Sequence, residues 1–273
     1  MSRLAYSRGL PTLGKFRYLE APPSGRPRGT LILLHAFPLN ARMWEPQLVL
    51  AAHGWRVLAP QLRGFDAGAD DPPGSSVDDF AGDVVDLLDT LHLKEAVIGG
   101  LSMGGYVAFA LLRLAPAYVS GLILADTRSQ ADTSEGIEGR KRMLQRLAET
   151  GAAGVVDDML PRLLGATTRA RQPEMVEHVR RLALGSSPEA MSGALRALMT
   201  RPDSTPLLHT IRCPSLILVG EEDVITPPDL SEQMHSVIAG SELVRIPEAG
   251  HLSSLEQPDV FNDAVGRFLL HRL

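Results

Sequence analysis

The chain has 273 residues, of which 44% are hydrophobic and 22% charged, so it can bury a full core as an ordinary globular protein. Its net charge of -5 argues against nucleic acid or an anionic membrane as its main partner. Cys213, the single cysteine, excludes an internal disulfide. No apolar run approaches the ~20 residues of a membrane helix, and the first residues lack the apolar core of a signal peptide. We therefore expect a cytoplasmic protein.

Short apolar runs alternate with amphipathic stretches along most of the chain. The runs predict strands at residues 30–34, 56–59, 96–99, 122–125, 216–219 and 243–246. Apolar residues at three-to-four spacing predict helices at residues 44–53, 77–91, 104–114, 227–238 and 258–270. This alternation indicates an α/β fold whose mostly parallel central sheet carries helices on both faces. Residues 16–19 are typical of an antiparallel edge strand.

The alternation stops between residues 128 and 206, where no strand pattern is found. Amphipathic patterns there predict short helices at residues 141–150, 155–164, 173–184 and 188–200. An all-helical block between two strands of one sheet predicts a cap over the carboxyl edge, where ligands bind in such sheets. We therefore predict a core of residues 1–127 and 207–273 and a helical cap insertion of residues 128–206.

A serine flanked by glycines stands where a predicted strand meets a predicted helix. Ser102 lies between Gly100 and Gly104, after the apolar run 96–99 and before the helical run 104–114. A sharp turn at the carboxyl end of a strand exposes such a serine, and larger flanking side chains would collide with the neighbouring strand and helix. This arrangement is typical of a nucleophile, so we predict that Ser102 attacks the substrate.

A serine nucleophile needs a base, and His251 is the best placed histidine. It follows the last predicted strand, on a loop that reaches the carboxyl edge of the sheet. The other histidines lie beside helices, before a strand or at the tail, except His35, which ends a strand and which we interpret as ordering a turn. We therefore predict His251 as the general base.

The base in turn needs a carboxylate that fixes its tautomer. Asp223 follows the predicted strand at 216–219 and is the last acid before the chain turns into a helix, so we predict this role for it. Glu221 and Glu222 in the same turn are alternatives. Asp126 is a stronger alternative, because it follows the predicted strand at 122–125 and strand-end position alone permits either aspartate.

An acyl-transfer site also needs backbone N–H groups that stabilise the negatively charged oxygen of the tetrahedral intermediate. Met103 directly follows the proposed nucleophile, and Phe37 lies on the loop after the first predicted parallel strand. We predict that these two amides form the oxyanion hole. No His/Cys/Glu cluster has metal-ligand spacing, and no glycine-rich loop suits a dinucleotide, so we expect neither a metal nor a cofactor.

Over essentially its whole length the chain resembles the α/β-hydrolase superfamily, and within it the small bacterial carboxylesterases and 3-oxoadipate enol-lactonase-like hydrolases. The segments that carry the resemblance are residues 35–40 with Trp44, 62–65, 100–105, 220–223 with Thr226 and Pro227, and 249–254 with Glu256 and Pro258. The resemblance implies the α/β-hydrolase fold and a triad in the order Ser, Asp, His. The chain departs from the family pattern at Ala36, where glycine is usual, and at Gln61, where an acid is usual.

These observations predict a carboxylesterase-type serine hydrolase that cleaves small to medium esters through an acyl-enzyme. Three alternatives use the same residues: an enol-lactone hydrolase, an acyltransferase or perhydrolase, and a ligand receptor with slow turnover. A dicarboxylate-derived lactone would need cations near the pocket, and the predicted cap offers Arg128, Arg140, Arg162 and Arg169. The expected partner is a small-molecule ester or lactone.

Overall fold

The structure is a computed structural model, and it describes residues 10, 12–65 and 73–273. In these residues one sheet contains eight strands in the order β1-β2-β4-β3-β5-β6-β7-β8. The strands are β1 (Thr12–Leu13), β2 (Phe16–Ala21), β3 (Gly29–Leu34), β4 (Trp55–Pro60), β5 (Ala96–Leu101), β6 (Val119–Ala125), β7 (Ser215–Gly220) and β8 (Glu242–Ile246). Strands β3 to β8 pair in parallel, which confirms the predicted mostly parallel sheet.

The antiparallel strand predicted at residues 16–19 forms, but it does not lie at the edge of the sheet. β2 pairs antiparallel with β4 on one side and with the two-residue strand β1 on the other. β1 is too short to give a period-two pattern, which is why the sequence did not indicate it. The central strands β5 and β7 are buried at every residue, as expected for parallel strands that are covered on both faces.

The predicted helices form, with some changes in type and length. The helices are α1 (Val77–Thr90), α2 (Met103–Leu114), α3 (Ser134–Leu163), α4 (Ala166–Arg171), α5 (Pro173–Leu184), α6 (Pro188–Thr200), α7 (Thr205–Leu208), α8 (Pro228–Val237), α9 (Ser253–Glu256) and α10 (Pro258–His271). The helix predicted at 44–53 is a 3₁₀ helix, Ala41–His53, with Pro46 inside it. No described helix combines the length and the apolar composition that crossing a bilayer requires.

Five of these helices, α3 to α7, lie between β6 and β7. The two helices predicted at 141–150 and 155–164 are one element, α3, which is interrupted at Gly151 by a left-handed φ of 66°. Helices α4 and α7 were not expected, because six and four residues are too short for a clear periodic pattern. The division into a core and a cap at residues 128 and 206 stays a prediction.

The parallel pairing brings several loops to one edge of the sheet. Strands β3, β5, β6, β7 and β8 are neighbours in this order, so their carboxyl ends meet side by side. The residues singled out by the sequence follow these ends: Phe37 after β3, Ser102 after β5, Asp126 after β6, Asp223 after β7 and His251 after β8. These five candidate site residues therefore all lie at one edge of the sheet.

Candidate active site

Ser102 lies in a strained turn between β5 and α2. Its φ of 53° and ψ of -111° are rare for a residue with a side chain, and such strain is concentrated at functional sites. Two hydrogen bonds hold the turn. The Ser102 amide donates to the Ala125 carbonyl at 2.9 Å, and the Thr127 hydroxyl donates to the Ser102 carbonyl at 2.9 Å. The serine is thus fixed between two strand ends.

The glycines around Ser102 are required by close backbone contacts. A Cβ on Gly100 would lie 2.2 Å from the carbonyl group of Gly104. A Cβ on Gly104 would lie 2.1 Å from the carbonyl oxygen of Leu34 in β3. Both distances are far below van der Waals contact, so larger residues would force β5, α2 and β3 apart. This is the collision that the sequence motif predicted.

Ser102, His251 and Asp223 form a continuous chain of hydrogen-bonding groups. His251 Nε2 lies 2.8 Å from Ser102 Oγ, and His251 Nδ1 lies 2.8 Å from Asp223 Oδ2. His251 and Asp223 are buried, whereas Ser102 keeps part of its surface accessible. The structure therefore brings together the three residues that the sequence selected, at distances suited to proton transfer.

Asp223 is fixed by its own turn. Its Oδ1 accepts from the amides of Ile225 and Thr226 at 2.8 and 3.0 Å, and its Oδ2 accepts from the Thr226 hydroxyl at 2.6 Å. The two acids beside it point elsewhere. Glu221 is exposed, and Glu222 accepts from the amide and the hydroxyl of Thr167. Among the three acids of this turn, Asp223 is the one that contacts His251.

Asp126, the alternative acid, is fully buried but makes a different set of contacts. Its Oδ1 accepts from the Gly220 amide at 2.8 Å, and its Oδ2 accepts from the amide and the hydroxyl of Ser253. Burial, and next the Asp223 charge, raise the pKa of Asp126 well above its usual range. Asp126 thus links the end of β7 to the loop that follows His251, and it does not hydrogen-bond the imidazole.

The carboxylates around His251 set its protonation. Burial alone would lower the pKa of His251, but the charge and the hydrogen bond of Asp223, with smaller contributions from Asp126 and Glu256, raise it above its ordinary value. Burial likewise opposes ionisation of Asp223, yet the positive charge of His251 and its hydrogen bond lower the pKa of Asp223. The two side chains therefore stabilise each other as an ion pair once His251 has taken a proton.

The predicted oxyanion donors lie beside Ser102. Met103 is the first residue of α2, so its N–H has no intrahelical acceptor. Phe37 lines the same cavity as Ser102. His35 begins the loop that carries Phe37. Its Nε2 accepts a hydrogen bond from the Leu62 amide at 3.2 Å, and burial lowers its pKa to about 4. His35 is therefore a neutral side chain that orders a turn, as the sequence suggested.

Sequence reasoning did not anticipate the role of Glu256. This buried carboxylate accepts from the amides of Gly250 and Leu252, on either side of His251, at 2.9 and 3.2 Å. It also accepts from the Gly165 amide, between α3 and α4, at 2.8 Å. Glu256 thus holds the His251 loop against the helices that follow β6. The signal available in the sequence was an acid five residues after the histidine.

A cavity of about 60 Å³ opens at Ser102, and we call it the serine chamber. The sheet edge contributes Phe37, Ser102 and His251, and the helical segment contributes Arg140, Met159 and Leu198. A wider cleft of about 680 Å³ shares Arg128, Arg140, Met159 and Ile225 with it. Arg162 lines only the wider cleft, and Arg169 lines neither cavity. Two of the four arginines noted in the sequence therefore reach the chamber.

Most of the chain matches the model of a known protein family. The family model described as "Alpha/beta hydrolase family" matches residues 31–264. The chain belongs to the α/β-hydrolase family. The match runs from β3 to α10 and so includes every strand end that meets at Ser102. The predicted α/β-hydrolase fold is confirmed, and with it the resemblance to this superfamily.

Individual relatives cover nearly the whole chain at modest identity. The 3-oxoadipate enol-lactonase 2 of Acinetobacter baylyi is 27% identical over 238 residues, which are 87% of each chain. A thermophilic esterase from Thermogutta terrifontis, solved with malate bound, is 37% identical with a TM-score of 0.87 and covers 93% of each chain. The enol-lactonase of Burkholderia xenovorans LB400 is 25% identical with a TM-score of 0.84, and the match covers 94% of this chain and 96% of that one. The family is thus one of hydrolytic enzymes that include esterases and lactonases.

Proposed function

We propose that the protein is a serine carboxylic ester hydrolase in which Ser102, His251 and Asp223 act as a triad. The observation that supports this best is the continuous chain from Ser102 Oγ through His251 to Asp223, with 2.8 Å at each step. A strained serine, a buried imidazole and an ionised carboxylate in this order fit the requirements of an activated nucleophile. The relatives named as an esterase and as enol-lactonases agree with acyl transfer to water.

The proposed reaction has two steps. His251 Nε2 takes the Ser102 proton as Oγ attacks the ester carbonyl, and the Phe37 and Met103 amides donate to the resulting oxyanion. His251 then gives the proton to the leaving alcohol, which departs and leaves an acyl-enzyme. Water attacks this ester with His251 again as the base, releasing the acid and restoring Ser102. Asp223 holds the imidazole and stabilises its cation in both steps.

Replacement of the nucleophile tests the proposal. With Ser102→Ala we expect hydrolysis of p-nitrophenyl butyrate to fall by about 10³- to 10⁶-fold, while circular dichroism and the melting temperature stay near those of the wild type. Ser231→Ala is the matched control, because Ser231 is a buried serine on α8 whose Oγ has no hydrogen-bond partner among the described residues. Ester hydrolysis retained in Ser102→Ala would contradict the proposal.

Lactone hydrolysis is the second candidate, supported by the enol-lactonases among the relatives. A lactone is a cyclic ester, so the same serine would attack it and the leaving alcohol would stay attached to the acyl group. A panel of open-chain esters, simple lactones and a dicarboxylate enol-lactone separates the two substrates by kcat/KM. Acyl transfer would instead yield peracid or new ester when peroxide or alcohol is added, and a slow receptor would give one burst without further turnover.

A further inference from the structure

A single buried carboxylate near Ser102 is surrounded by three guanidinium groups. The Asp132 side chain is 1% exposed and pairs with Arg128, Arg140 and Arg201. Arg128 and Arg201 reach Asp132 Oδ1 at 2.6 and 2.8 Å, while Arg140 Nε donates to Oδ2. One negative charge cannot neutralise three positive ones. These four residues, which we call the Asp132 cluster, therefore carry an excess of positive charge.

The Asp132 cluster faces the serine. Arg128 and Arg140 line the serine chamber together with Ser102 and His251. Arg201 lies behind them, with its guanidinium carbon 4.2 Å from the centre of the Tyr106 ring, another wall of the chamber. The positive charge is thus directed at the space where a substrate bound to Ser102 would lie.

Two of these arginines, Arg128 and Arg201, have a buried Nε without a partner among the described residues, and of these two Arg128 lines the serine chamber. A buried charged donor without an acceptor is costly, and a ligand oxygen would remove that cost. The planar donor fork of arginine matches a carboxylate, which it can bind through two parallel hydrogen bonds.

The wider cleft that leads to the serine chamber has the same sign of charge. Its arginines are Arg128, Arg140, Arg142, Arg146 and Arg162, and its acids are Asp132, Glu135 and Asp158. The chain as a whole has a net charge of -5, so this excess of arginine runs against the overall balance. A cleft lined by one sign of charge concentrates ligands of the opposite sign at its mouth.

We propose that Arg128 and Arg140 bind a free carboxylate of the substrate, so that the preferred substrates are esters with a negative charge close to the scissile carbonyl. Asp132 and Arg201 are positioning residues that hold the two guanidinium groups toward the chamber. Because Arg128 and Arg140 line the same small chamber as Ser102, a carboxylate bound by them would lie within a few bonds of the scissile carbonyl. This inference rests on the proposed ester hydrolysis, because it specifies the substrate of the same site.

A matched pair of esters tests the proposal. Monomethyl succinate carries a carboxylate where methyl isohexanoate carries an uncharged branched group of similar shape, and a pH-stat measures the acid released from either. We expect kcat/KM to be about 10- to 100-fold higher for the anionic ester, mainly through a lower KM. Raising the ionic strength should reduce this preference, because salt screens the attraction between the charges.

Substitutions in the cluster locate the preference. Arg140→Gln should lower the ratio of the two kcat/KM values by about 10-fold or more, and Arg140→Lys should restore part of it. Arg180→Gln is the control, because Arg180 also pairs with an aspartate, Asp157, but lines neither cavity. We expect this control to keep the wild-type ratio.

A binding measurement separates this inference from the proposed function. Titration calorimetry with succinate should show binding to the wild type and to Arg180→Gln, and weaker binding to Arg140→Gln. Equal kcat/KM for the two esters, together with succinate binding that Arg140→Gln does not weaken, would overturn the inference and leave ester hydrolysis intact. Failure to hydrolyse either ester would contradict the proposed function, while loss of succinate binding in Arg140→Gln would still support a carboxylate site.

Discussion

Two ionic clusters meet at the serine chamber, and their charges are opposite. Around His251 one imidazole lies among the carboxyl groups of Asp223, Asp126 and Glu256, and Asp223 contributes most to raising its pKa. Around Asp132 one carboxylate is surrounded by three guanidinium groups. The first arrangement increases the affinity of a base for a proton, and the second leaves positive charge available to an anion. The proposed chemistry and the proposed recognition are thus assigned to separate parts of the chain.

The largest expected effect is a loss of kcat that separates the role of Asp223 from that of Asp126 beside His251. Asp223→Asn should lower kcat by about 10⁴-fold, because the amide leaves the imidazole in the wrong tautomer and does not stabilise its cation. Asp126→Asn should lower kcat by less than about 10-fold, because burial favours the neutral form of Asp126 and an amide resembles a protonated carboxyl. Both kcat values are to be measured by ester hydrolysis at a saturating substrate concentration. A severe loss in Asp126→Asn with a mild one in Asp223→Asn would reverse the assignment.

The next effect concerns the stability of the Asp132 cluster. Burial alone would raise the pKa of Asp132, but hydrogen bonds from Arg201 and Arg140 hold it well below its usual range. Asp132→Asn leaves three guanidinium groups without their carboxylate, so we expect a loss of about 3 kcal/mol in the free energy of unfolding. Urea denaturation measures it. Asp157→Asn, which breaks the exposed pair with Arg180, should cost about 0.5 kcal/mol.

The contribution of Asp132 to the free energy of unfolding should decrease as the pH falls. A carboxyl whose pKa is lower in the folded than in the unfolded chain contributes stability at neutral pH and loses it on acidification. Below the ordinary aspartate pKa of about 4, the wild type should therefore lose stability faster than Asp132→Asn. Parallel pH-dependent curves for the two proteins would show that Asp132 contributes nothing to this loss.

The smallest effect is a shift in the pH profile. In the proposed mechanism the neutral imidazole is the base, so kcat/KM should rise with pH, and the raised pKa of His251 places the midpoint above about 6.5. In Asp223→Asn the midpoint of the residual activity should move down, since the favourable charge is lost. Profiles measured with a neutral ester avoid any titration of the substrate. A flat profile between pH 5 and 8 would argue against a histidine base.

The positions of Asp223, Asp126 and His251 in the first cluster were predictable from the sequence because these residues follow strands, whereas Glu256 lies on α9 and was not anticipated. Apolar runs revealed β5, β7 and β8, and parallel strands side by side bring their carboxyl ends to one edge. Ser102, Asp223 and His251 therefore had to be neighbours once the sheet was recognised. Strand position did not distinguish Asp223 from Asp126. The turn that aims Asp223 at His251, through the amides of Ile225 and Thr226, was visible only in the structure.

The second cluster was not predictable, because its members come from helices and the connections between them. Periodicity indicates which face of a helix is apolar, but it does not indicate whether an arginine on the other face points to a cavity or to solvent. Arg128 and Arg140 line the serine chamber, whereas Arg169 lines neither cavity. The kink in α3 at Gly151 makes this harder to predict, because the two halves of the helix do not continue one periodic pattern.

That kink also matters for how this enzyme could be redesigned. Arg140 lies in the half of α3 before Gly151. The half after Gly151 leads to Gly165, and the Gly165 amide donates to Glu256, which also accepts from the Gly250 amide beside His251. A graft that exchanges the first half of α3 would change the charge of the chamber wall and keep the junction that supports the histidine. Gly151 is thus a natural boundary for exchanging the proposed specificity residues between homologues without altering the loop that carries the proposed base.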